Sequence, residues 1–511
     1  MGHLSALVHL LALFAVALVR QASAECRIVK RGLSRDLLLT GTVLTTGGAL
    51  QDTTVFIQSG KIVYVGDVCG LGTRGLDASV LNCPGSVVSP GFINTHEHID
   101  YSTVRPFPDI GERVTHRHDW RLGTRNYTMR AVAVNGSDAD ATAWGELRHL
   151  FSGTTSVIGG AMVPGLARNL DFADGLEDGL AGPAAVYDTF PLRDRLGMLR
   201  RGDCDYGPDP IDRATATGYH RYIGHIGEGV DTEAANEFAC LSNGTFDTVP
   251  ALGGGGLSTD IIAPNVALVH ALGLTPRDFD VVAARGAKVV WSPRSNMYLY
   301  GKTLNASYLL AAGITVALGT DWLPSGSATM AREAVCADAA TRGSYGVALA
   351  PKVLWEMATV NAAAVAGFDG QLGAIEAGKL ADIVVVGAWA GGPGDHRDRR
   401  RGGGGVDDDD DDSFGQAIFA PQAAIELVLR GGKILLASAE IGDLAASPSS
   451  CEPVAFGGGE AEKLVCVAEE LGASFRAFED SLRGVYPVVL PDVSPYEPAC
   501  EPMGGPFTAV D

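Results

Sequence analysis

The feature that most constrains the fold is an alternation of apolar strand-like runs with helix-like stretches between about residues 88 and 366. The run "NVALVHALGL" is followed by the helix-like "TPRDFDVVAARGA", and then "KVVWSP", "NASYLLAAGI" and "TVALGTD" continue the alternation. Alternating β and α units imply a parallel sheet. At this length the pattern predicts a (β/α)8 barrel, in which the chemistry lies at the carboxyl ends of the strands.

Strand-rich segments flank this region on both sides. Residues 36–67 are short β-rich runs separated by glycine-containing turns, and a similar texture returns at "GKLADIVVVGAWA" and "AIELVLRGGKILLASAE". We predict an α/β chain in which both ends together build one small β-sandwich beside the barrel. The predicted division is a sandwich half at 36–88, the barrel at 89–366, the second sandwich half at 367–440 and a tail at 441–511 that packs on the outside.

Residues 391–412 differ in composition from the rest of the chain. They combine a basic cluster, a run of four glycines and a run of six aspartates, and such a segment cannot bury a core. We predict a disordered surface insert between strands of the sandwich.

The first 24 residues have the features of a secretory leader. An apolar stretch from Leu4 to Val19 ends at Ala22-Ser23-Ala24, which is a small-x-small cleavage signature. We predict a signal peptide over residues 1–24 and a secreted protein, with an uncleaved anchor as the alternative. No other segment has the ~20 consecutive apolar residues that would span a bilayer. The net charge of −21 argues against nucleic acid or an anionic membrane as a partner.

Cysteines and glycosylation signals fit an oxidising compartment. Nine cysteines follow the leader, so at least one is unpaired within the chain, and Cys69 with Cys83 and Cys451 with Cys466 or Cys500 are the pairs suggested by proximity. The absence of a CxxC motif argues against a cysteine zinc knuckle. N-x-[ST] sequons begin at Asn126, Asn135, Asn243 and Asn305, which predicts a glycoprotein with surface loops at these positions.

A pair of histidines follows the apolar run that should form the first barrel strand. In "PGFINTHEHIDYS", His96 and His98 flank Glu97. Residues two apart in a strand point to the same face, so both imidazoles would point one way and Glu97 the other. The pair alone fits half of a metal site and a solvated strand end equally well.

Three further polar residues also follow apolar runs. "RYIGHIGEG" contains His225 with Glu228 three residues later, "NVALVHALGL" contains His270, and "ITVALGTDWLPSG" contains Asp321. Each one alone would be read as a polar cap on a strand or helix. Together they place several metal-ligating residue types at the mouth of the predicted barrel.

With these residues in place, the chain resembles the amidohydrolase superfamily over roughly residues 36 to 440. The matching pieces are "PGFINTHEHID", "SGTTSVIGGA", "HIGEG", "LVHALGL", "VVWSPRSNMYLYG" and "VALGTDW". The resemblance is strongest to the branch that holds cytosine, guanine and S-adenosylhomocysteine deaminases and triazine hydrolases. In that branch a His-x-x-Glu and a Ser-Asn element precede the final aspartate, here His225 to Glu228 and Ser295-Asn296.

The resemblance implies a role for each matching residue. His96, His98, His225 and Asp321 would be the metal ligands, and Asp321 would also accept a proton from water. Glu228 would carry that proton to the substrate nitrogen, and His270 would hydrogen-bond the oxygen that develops charge. The resemblance places Ser295 and Asn296 at the substrate.

The metal is expected to be a single divalent ion. Two-metal members of the family often use a carboxylated lysine as a bridge, and this chain has no lysine between Lys61 and Lys288. Asp188, in "AAVYDTF", is the remaining candidate for a bridge. Three imidazoles and a carboxylate suit zinc best, with Fe²⁺ and Mn²⁺ as the alternatives.

The long segment 101–146 departs from the family pattern, as does the shortage of strands before His225, where only "AAVYDTFPL" is clear. We expect this segment to form a loop over the barrel mouth, with His118, Asp119 and Trp120 as candidate substrate contacts and a solvated loop as the alternative. The same open question applies to Trp291 and Arg294.

The sequence predicts a hydrolase that acts on carbon–nitrogen bonds other than peptide bonds in a small molecule. Deamination of an amino-heterocycle is the leading reaction, hydrolysis of a cyclic or linear amide is the alternative, and a non-catalytic scaffold is a further alternative. The sequence sets no oligomeric state.

Overall fold

The computed structural model of the chain describes residues 26–172, 179–249, 257–389, 408–445, 447–459, 461–491 and 494–500. The predicted signal peptide, residues 1–24, lies outside the described residues, as do residues 391–407 of the predicted insert. The last five residues of that insert begin a helix, Asp408–Ile418, so the predicted boundary at 412 is wrong. The helix continues because Phe414, Ala417 and Ile418 are buried in the core. No helix within the described ranges is long and apolar enough to cross a membrane.

The strands and helices follow the predicted alternation. In chain order the strands are β1 (Arg27–Lys30), β2 (Leu37–Thr45), β3 (Gly48–Gln58), β4 (Lys61–Gly66), β5 (Ser79–Pro90), β6 (Phe92–Asn94), β7 (Thr154–Val157), β8 (Arg168–Asn169), β9 (Val186–Asp188), β10 (Tyr222–Ile226), β11 (Val266–His270), β12 (Lys288–Trp291), β13 (Val316–Leu318), β14 (Ile383–Val386), β15 (Ile425–Arg430), β16 (Lys433–Ser438), β17 (Glu452–Phe456) and β18 (Ala461–Val465). The helices are α1 (Arg117–Leu122), α2 (Ala139–Phe151), α3 (Arg213–Gly218), α4 (Thr232–Ser242), α5 (Pro276–Ala284), α6 (Pro293–Tyr300), α7 (Ala306–Ala311), α8 (Met330–Tyr345), α9 (Pro351–Ala358), α10 (Val360–Ala366), α11 (Asp408–Ile418), α12 (Ala468–Leu471) and α13 (Phe475–Ser481).

Strands from both ends of the chain share one sheet. Hydrogen bonding joins ten strands in the order β17-β18-β16-β15-β14-β5-β2-β3-β4, with β1 paired to β5. The junction between the two ends is the antiparallel pair β5–β14, in which Pro90 lies opposite Ile383. The two-layer packing predicted for these strands stays a prediction.

The central part of the chain forms parallel sheets, so the mixed α/β class with parallel strands is confirmed. One sheet has the order β13-β12-β11-β10-β9 and the other β6-β7-β8. The two-residue β8 is the second strand that the sequence pattern before His225 did not reveal. Backbone hydrogen bonds connect the two sheets at both edges, from Ala185 N to Leu170 O (2.8 Å) and from Thr95 N to Leu318 O (3.3 Å).

Local sequence explains why these elements form. Every residue of β10 and β11 is buried, which is typical of parallel strands covered on both faces and explains their nearly continuous apolar runs. Helix α5 begins with Pro276 directly after a capping box, in which Thr275 and Asp278 satisfy each other's backbone amides.

A buried ion pair ties the parallel sheets to the ten-stranded sheet. Arg168 on β8 donates from Nε to Asp382 Oδ2 (2.6 Å) and from Nη2 to Asp382 Oδ1 (3.1 Å). The side chains are 0% and 4% exposed, and Asp382 directly precedes β14. This bidentate ion pair fixes the orientation of the β6-β7-β8 sheet relative to the ten-stranded sheet.

Disulfides correct one of the two suggested pairings. Cys83 on β5 pairs with Cys26, because β1 runs alongside β5 and brings Cys26 opposite it, while Cys69 is an exposed free thiol. The suggested Cys69–Cys83 pair is therefore wrong, and Cys451–Cys466 is confirmed. The remaining disulfides, Cys204–Cys240 and Cys336–Cys500, were not anticipated.

Candidate active site

Five polar side chains converge at the carboxyl ends of the parallel strands. His96 and His98 follow β6, His225 lies in β10, His270 ends β11, and Asp321 follows β13 by three residues. Four of the five are at least 96% buried, and the side chain of His98 is 22% exposed. The structure therefore brings together the residues that the sequence pattern placed at strand ends.

The spacing of these groups fits a divalent metal ion. Asp321 Oδ1 lies 3.3 Å from His96 Nε2 and 3.5 Å from His98 Nε2. His96, His225 and His270 each offer a ring nitrogen, and these three atoms lie within 4.8 Å of one another. The buried His96 Nε2 has no hydrogen-bond partner in the described structure. An imidazole and carboxylate donor set with an unsatisfied buried nitrogen suits a metal such as zinc.

The strand alternation expected around Glu97 is present. Glu97 Oε2 points away from the histidine cluster, where it accepts a hydrogen bond from Asn94 Nδ2 (3.1 Å) and lies 3.3 Å from His149 Nε2. On the other side of the strand, Gly319 approaches His96 so closely that a Cβ at this position would lie 2.4 Å from His96 Cβ. Only glycine allows the last strand to approach the first this closely.

The first turn of α6 holds two of the site residues. Ser295 Oγ donates a hydrogen bond to Asp321 Oδ2 (2.5 Å), and Asn296 Oδ1 lies 2.9 Å from His270 Nδ1. Such partners of ligating side chains fix their orientation and tautomer. Ser295 and Asn296 contact these site residues and do not line the cavity, so the substrate-binding role predicted for them stays a prediction.

Two site residues have a strained backbone. His270 has φ of 66° and Asp321 has φ of 60°, in the left-handed region that residues other than glycine rarely adopt. Such conformations cluster at functional sites, where the surrounding structure over-determines them. The strain aims both side chains into the space above the strand ends.

Glu228 is linked through Tyr300 to Trp120 by two hydrogen bonds. Tyr300 Oη donates to Glu228 Oε1 (2.7 Å) and accepts from Trp120 Nε1 (3.0 Å), and Glu228 Oε2 lies 3.8 Å from His270 Nε2. Burial acts to raise the pKa of Glu228, but the charges of His270 and Arg117 and the bond from Tyr300 outweigh it and lower that pKa. Glu228 is therefore ionised at neutral pH.

Burial also sets the protonation of the ligand-type residues. It lowers the pKa of His96 and of His225 well below the usual imidazole value, and the neighbouring imidazoles reinforce the effect. Neutral imidazole is the form that binds metals. Burial raises the pKa of Asp321, which makes this carboxylate a better proton acceptor.

A cavity of about 360 Å³ opens above these groups. His98, His225, Glu228, His270 and Asp321 form part of its lining, and aromatic side chains form another part. Trp120 and Trp322 lie with ring centroids 4.9 Å apart and an interplanar angle of 32°. The cavity therefore combines acid–base groups with aromatic surface.

Segment 101–146 is not a simple loop, because residues 117–122 form α1. His118 and Asp119 are fully buried and turn away from the cavity: His118 Nε2 lies 2.8 Å from Asp194 Oδ2, and Asp119 pairs with Arg125. Of the three candidate contacts, Trp120 alone lines the cavity. The alternative of a solvated loop is wrong for residues 116–119, which are buried among ion pairs, whereas residues 135–140 of the same segment are exposed.

The sequence did not predict several residues that lie near the site. Tyr187 Oη lies 3.2 Å from His98 Nε2, whereas Asp188, the suggested bridge, accepts a hydrogen bond from Tyr222 Oη (2.9 Å) on the other face of β9. Tyr187 and Asp188 are adjacent in β9, so their side chains point to opposite faces. Which of the two faces the site could not be predicted without the register of β9. Nothing in the sequence indicated Tyr300, because its direction depends on the packing of α6.

Comparisons with known proteins agree with this geometry. The amidohydrolase family profile matches residues 226–434. A 5-methylthioadenosine/S-adenosylhomocysteine deaminase from Natronomonas pharaonis is 26% identical over 387 residues, covering 68% of this chain and 82% of its own length. A 5'-deoxyadenosine deaminase from Methanothermobacter thermautotrophicus is 27% identical over 380 residues, covering 69% and 85%.

A solved structure supports the same fold. The crystal structure of an adenosine deaminase from Xanthomonas campestris with bound zinc superposes with a TM-score of 0.55 at 20% identity, covering 88% of this chain and 99% of its own. The ordered motifs, the converging side chains and these matches agree: residues 226–434 match the amidohydrolase family, and the chain is similar to deaminases over about two thirds of its length.

Proposed function

We propose that this protein is a metal-dependent hydrolase that deaminates an amino-heterocycle. The observation that carries the proposal is the convergence of Glu228, His270 and Asp321 on one cavity, next to a buried His96 nitrogen that has no hydrogen-bond partner among the described residues. These groups are the ones that water attack on a carbon–nitrogen bond requires. The named relatives that support the proposal are deaminases.

His96, His98, His225 and Asp321 would hold one divalent metal ion, with zinc the best fit to the donor set. The zinc named with the Xanthomonas campestris adenosine deaminase supports this choice. Such an ion lowers the pKa of a bound water toward ~7 and so supplies a nucleophile at neutral pH.

The protein's own groups would then handle the protons. Asp321, whose pKa burial raises, accepts a proton from the attacking water. Ionised Glu228, held by Tyr300, takes up this proton and passes it to the nitrogen of the substrate, and His270, oriented by Asn296, donates a hydrogen bond to the oxygen that develops charge. Each role follows from the side chain that faces the cavity and the partner that fixes it.

The aromatic lining supports a flat substrate. Trp120, Phe190 and Trp322 line the cavity, and aromatic surface stacks on planar rings. Hydrolysis of a cyclic or linear amide stays the alternative reaction, because the same acid–base groups would serve it. A non-catalytic scaffold is disfavoured by the presence of the complete set of expected side chains.

The finer architecture is part of the proposal. We infer that β6 to β13 close into a (β/α)8 barrel, supported by the hydrogen bonds at both edges of the two parallel sheets. A sandwich made of residues 36–88 and 367–440 is supported by one buried apolar cluster that contains side chains of both ends of the chain, such as Leu39 and Leu427. The tail, which we propose to begin near residue 441, adds β17 and β18 to the ten-stranded sheet.

We also propose that the protein is secreted and N-glycosylated, after cleavage of residues 1–24. Four disulfides within the described residues support an oxidising compartment. Asn126, Asn135 and Asn243 are exposed, while Asn305 is half-buried and caps α7.

The experiment that tests the function is ammonia release from a panel of aminopurines, aminopyrimidines and amino-triazines by zinc-loaded protein. Cyclic amides in the same panel, followed by carboxylate release, test the alternative reaction. We expect ammonia release from at least one amino-heterocycle, loss of turnover in Glu228→Gln with the metal retained, and normal turnover in Glu462→Gln, an exposed carboxylate on β18. Metal-loaded protein that hydrolyses no member of the panel would refute the proposal.

A further inference from the structure

The last described residues pack on elements that hold the site. We call residues 486–490 and 494–500 the C-terminal strap. Its Tyr486 carbonyl accepts a hydrogen bond from Trp144 Nε1 on α2 (2.7 Å). Tyr486 and Leu490 form a buried apolar cluster with Leu323 and Ala328. Leu323 is two residues after Asp321, so the strap covers the segment that leaves the site.

One buried carboxylate of the strap joins three elements. The Glu497 side chain is 3% exposed, and its Oε2 accepts from Arg332 Nε on α8 (2.8 Å) and lies 3.3 Å from Arg294 Nη2 on α6. Its Oε1 accepts from the amide of Ala328 (3.4 Å), in the segment between Asp321 and α8. Loss of this carboxylate would therefore loosen α6, α8 and the segment between them together.

The buried guanidinium of Arg294 takes its countercharge and one of its hydrogen-bond acceptors from the strap. Its guanidinium also donates to the carbonyl of Pro498 in the strap and to Ser327 Oγ. Burial raises the pKa of the nearby Glu333 to about 8, so this carboxyl is mostly neutral at pH 7. Glu497 therefore supplies the countercharge that a buried guanidinium requires.

The next two residues after Arg294 are Ser295 and Asn296, which hold Asp321 and His270. A displacement of Arg294 would move both of these contacts, because all three side chains belong to the first turn of α6. No strap residue lines the cavity, so the strap cannot act by touching substrate.

We infer that the C-terminal strap positions the active site: Glu497, through Arg294, holds the first turn of α6 in the place from which Ser295 and Asn296 orient Asp321 and His270. The inference rests on the proposed function for its kinetic consequence. The Cys336–Cys500 disulfide fixes the end of the strap to α8 and so keeps Glu497 against its partners.

The first test is Glu497→Gln in the full chain. We expect kcat to fall about 10- to 100-fold, the usual cost of disturbing groups that orient a metal site, with KM little changed and the metal retained. The matched control is Asp480→Asn, which removes an exposed carboxylate of the same tail from its bond to Arg483 and should leave kcat unchanged.

A double variant separates positioning from stability. Arg294→Met combined with Glu497→Gln removes the unpaired buried charge, so we expect its thermal stability to exceed that of Glu497→Gln alone. The kcat of the double variant should stay low, because the ion pair between α6 and the strap is absent from it as well. Recovery of wild-type kcat in the double variant would overturn the inference.

The last test needs no substrate. Hydrogen exchange at residues 293–300 and 321–330 should be faster in Cys336→Ser/Cys500→Ser than in the wild type, and unchanged in Cys451→Ser/Cys466→Ser, which removes a disulfide of the tail that does not reach α8. Unchanged exchange in the first double variant would refute the inference. If the wild type turns over nothing, the proposed function fails while this exchange experiment still decides the role of the strap.

Discussion

The Tyr300 hydroxyl gives the sharpest test of how the site controls Glu228. Tyr300→Phe removes the donor that lies 2.7 Å from Glu228 Oε1, and it leaves the ring in its packing position. A hydrogen bond to a charged group contributes about 1.5–3 kcal/mol, which corresponds to a decrease of roughly 10- to 150-fold in kcat/KM if the transition state uses the whole bond. The variant also leaves Trp120 Nε1 without its acceptor, at a cost to stability of about 1–3 kcal/mol.

The pH profile supplies an independent readout of the same substitution. Tyr300 helps to lower the pKa of Glu228, so its loss raises that pKa, and the acidic limb of kcat/KM should move to higher pH. Because the folded-state pKa is depressed, ionised Glu228 contributes stability above its unfolded-state pKa, and this contribution is lost as the pH falls through the folded-state pKa. Tyr300→Phe should therefore also reduce the stability gained by raising the pH over this range.

The assay is kcat/KM against pH with metal-loaded protein, beside Tyr298→Phe as the control. Tyr298 lies on the same helix, but its hydroxyl donates to the carbonyl of Pro108 (3.1 Å) and does not reach Glu228. We expect the control to behave as the wild type. A Tyr300→Phe variant with full metal content, wild-type kcat/KM and an unmoved acidic limb would show that Glu228 does not depend on Tyr300.

Two further substitutions test the metal and the sheet junction. His96→Ala/His98→Ala should lose about one metal ion per chain by elemental analysis, whereas His220→Ala, whose ring bonds the carbonyl of Gly367, should keep it; retention of metal by the double variant would place the ion elsewhere. Asp382→Asn should lower the free energy of unfolding by about 3–5 kcal/mol, because it leaves Arg168 buried without its carboxylate, and an unchanged urea midpoint would contradict this reading of the ion pair.

The sequence predicted the parallel α/β class and the residues at the strand ends, and the reason is local. His96, His225 and His270 each follow or end an apolar run, and the carboxyl end of a parallel strand is where such runs deliver polar side chains. The strand β8 escaped because two residues carry no periodicity. It forms through tertiary packing, and Arg168 within it is fixed by the distant Asp382.

Contacts between segments far apart in the chain could not be predicted from local pattern. His118 looked like a candidate substrate contact, and it is instead buried against Asp194, 76 residues later. The Cys69–Cys83 pairing failed because proximity in sequence does not determine which strands lie side by side. Tyr300 reaches Glu228 across 72 residues, and no spacing rule connects them.

The strained residues of the site and the helix that holds them form one unit. His270 and Asp321 both have positive φ, at a cost on the order of 1–3 kcal/mol each. Ser295 bonds the carboxylate of Asp321, and a bond to a charged group returns a similar free energy of about 1.5–3 kcal/mol. Asn296 bonds His270, and an ordinary hydrogen bond contributes about 0.5–1.5 kcal/mol. Because both bonds come from one helical turn, a shift of α6 would release both strained residues together. Arg294, which directly precedes Ser295, is buried and hydrogen-bonded to Ser327. An anchor at this position resists the shift of α6 that would break both bonds at once.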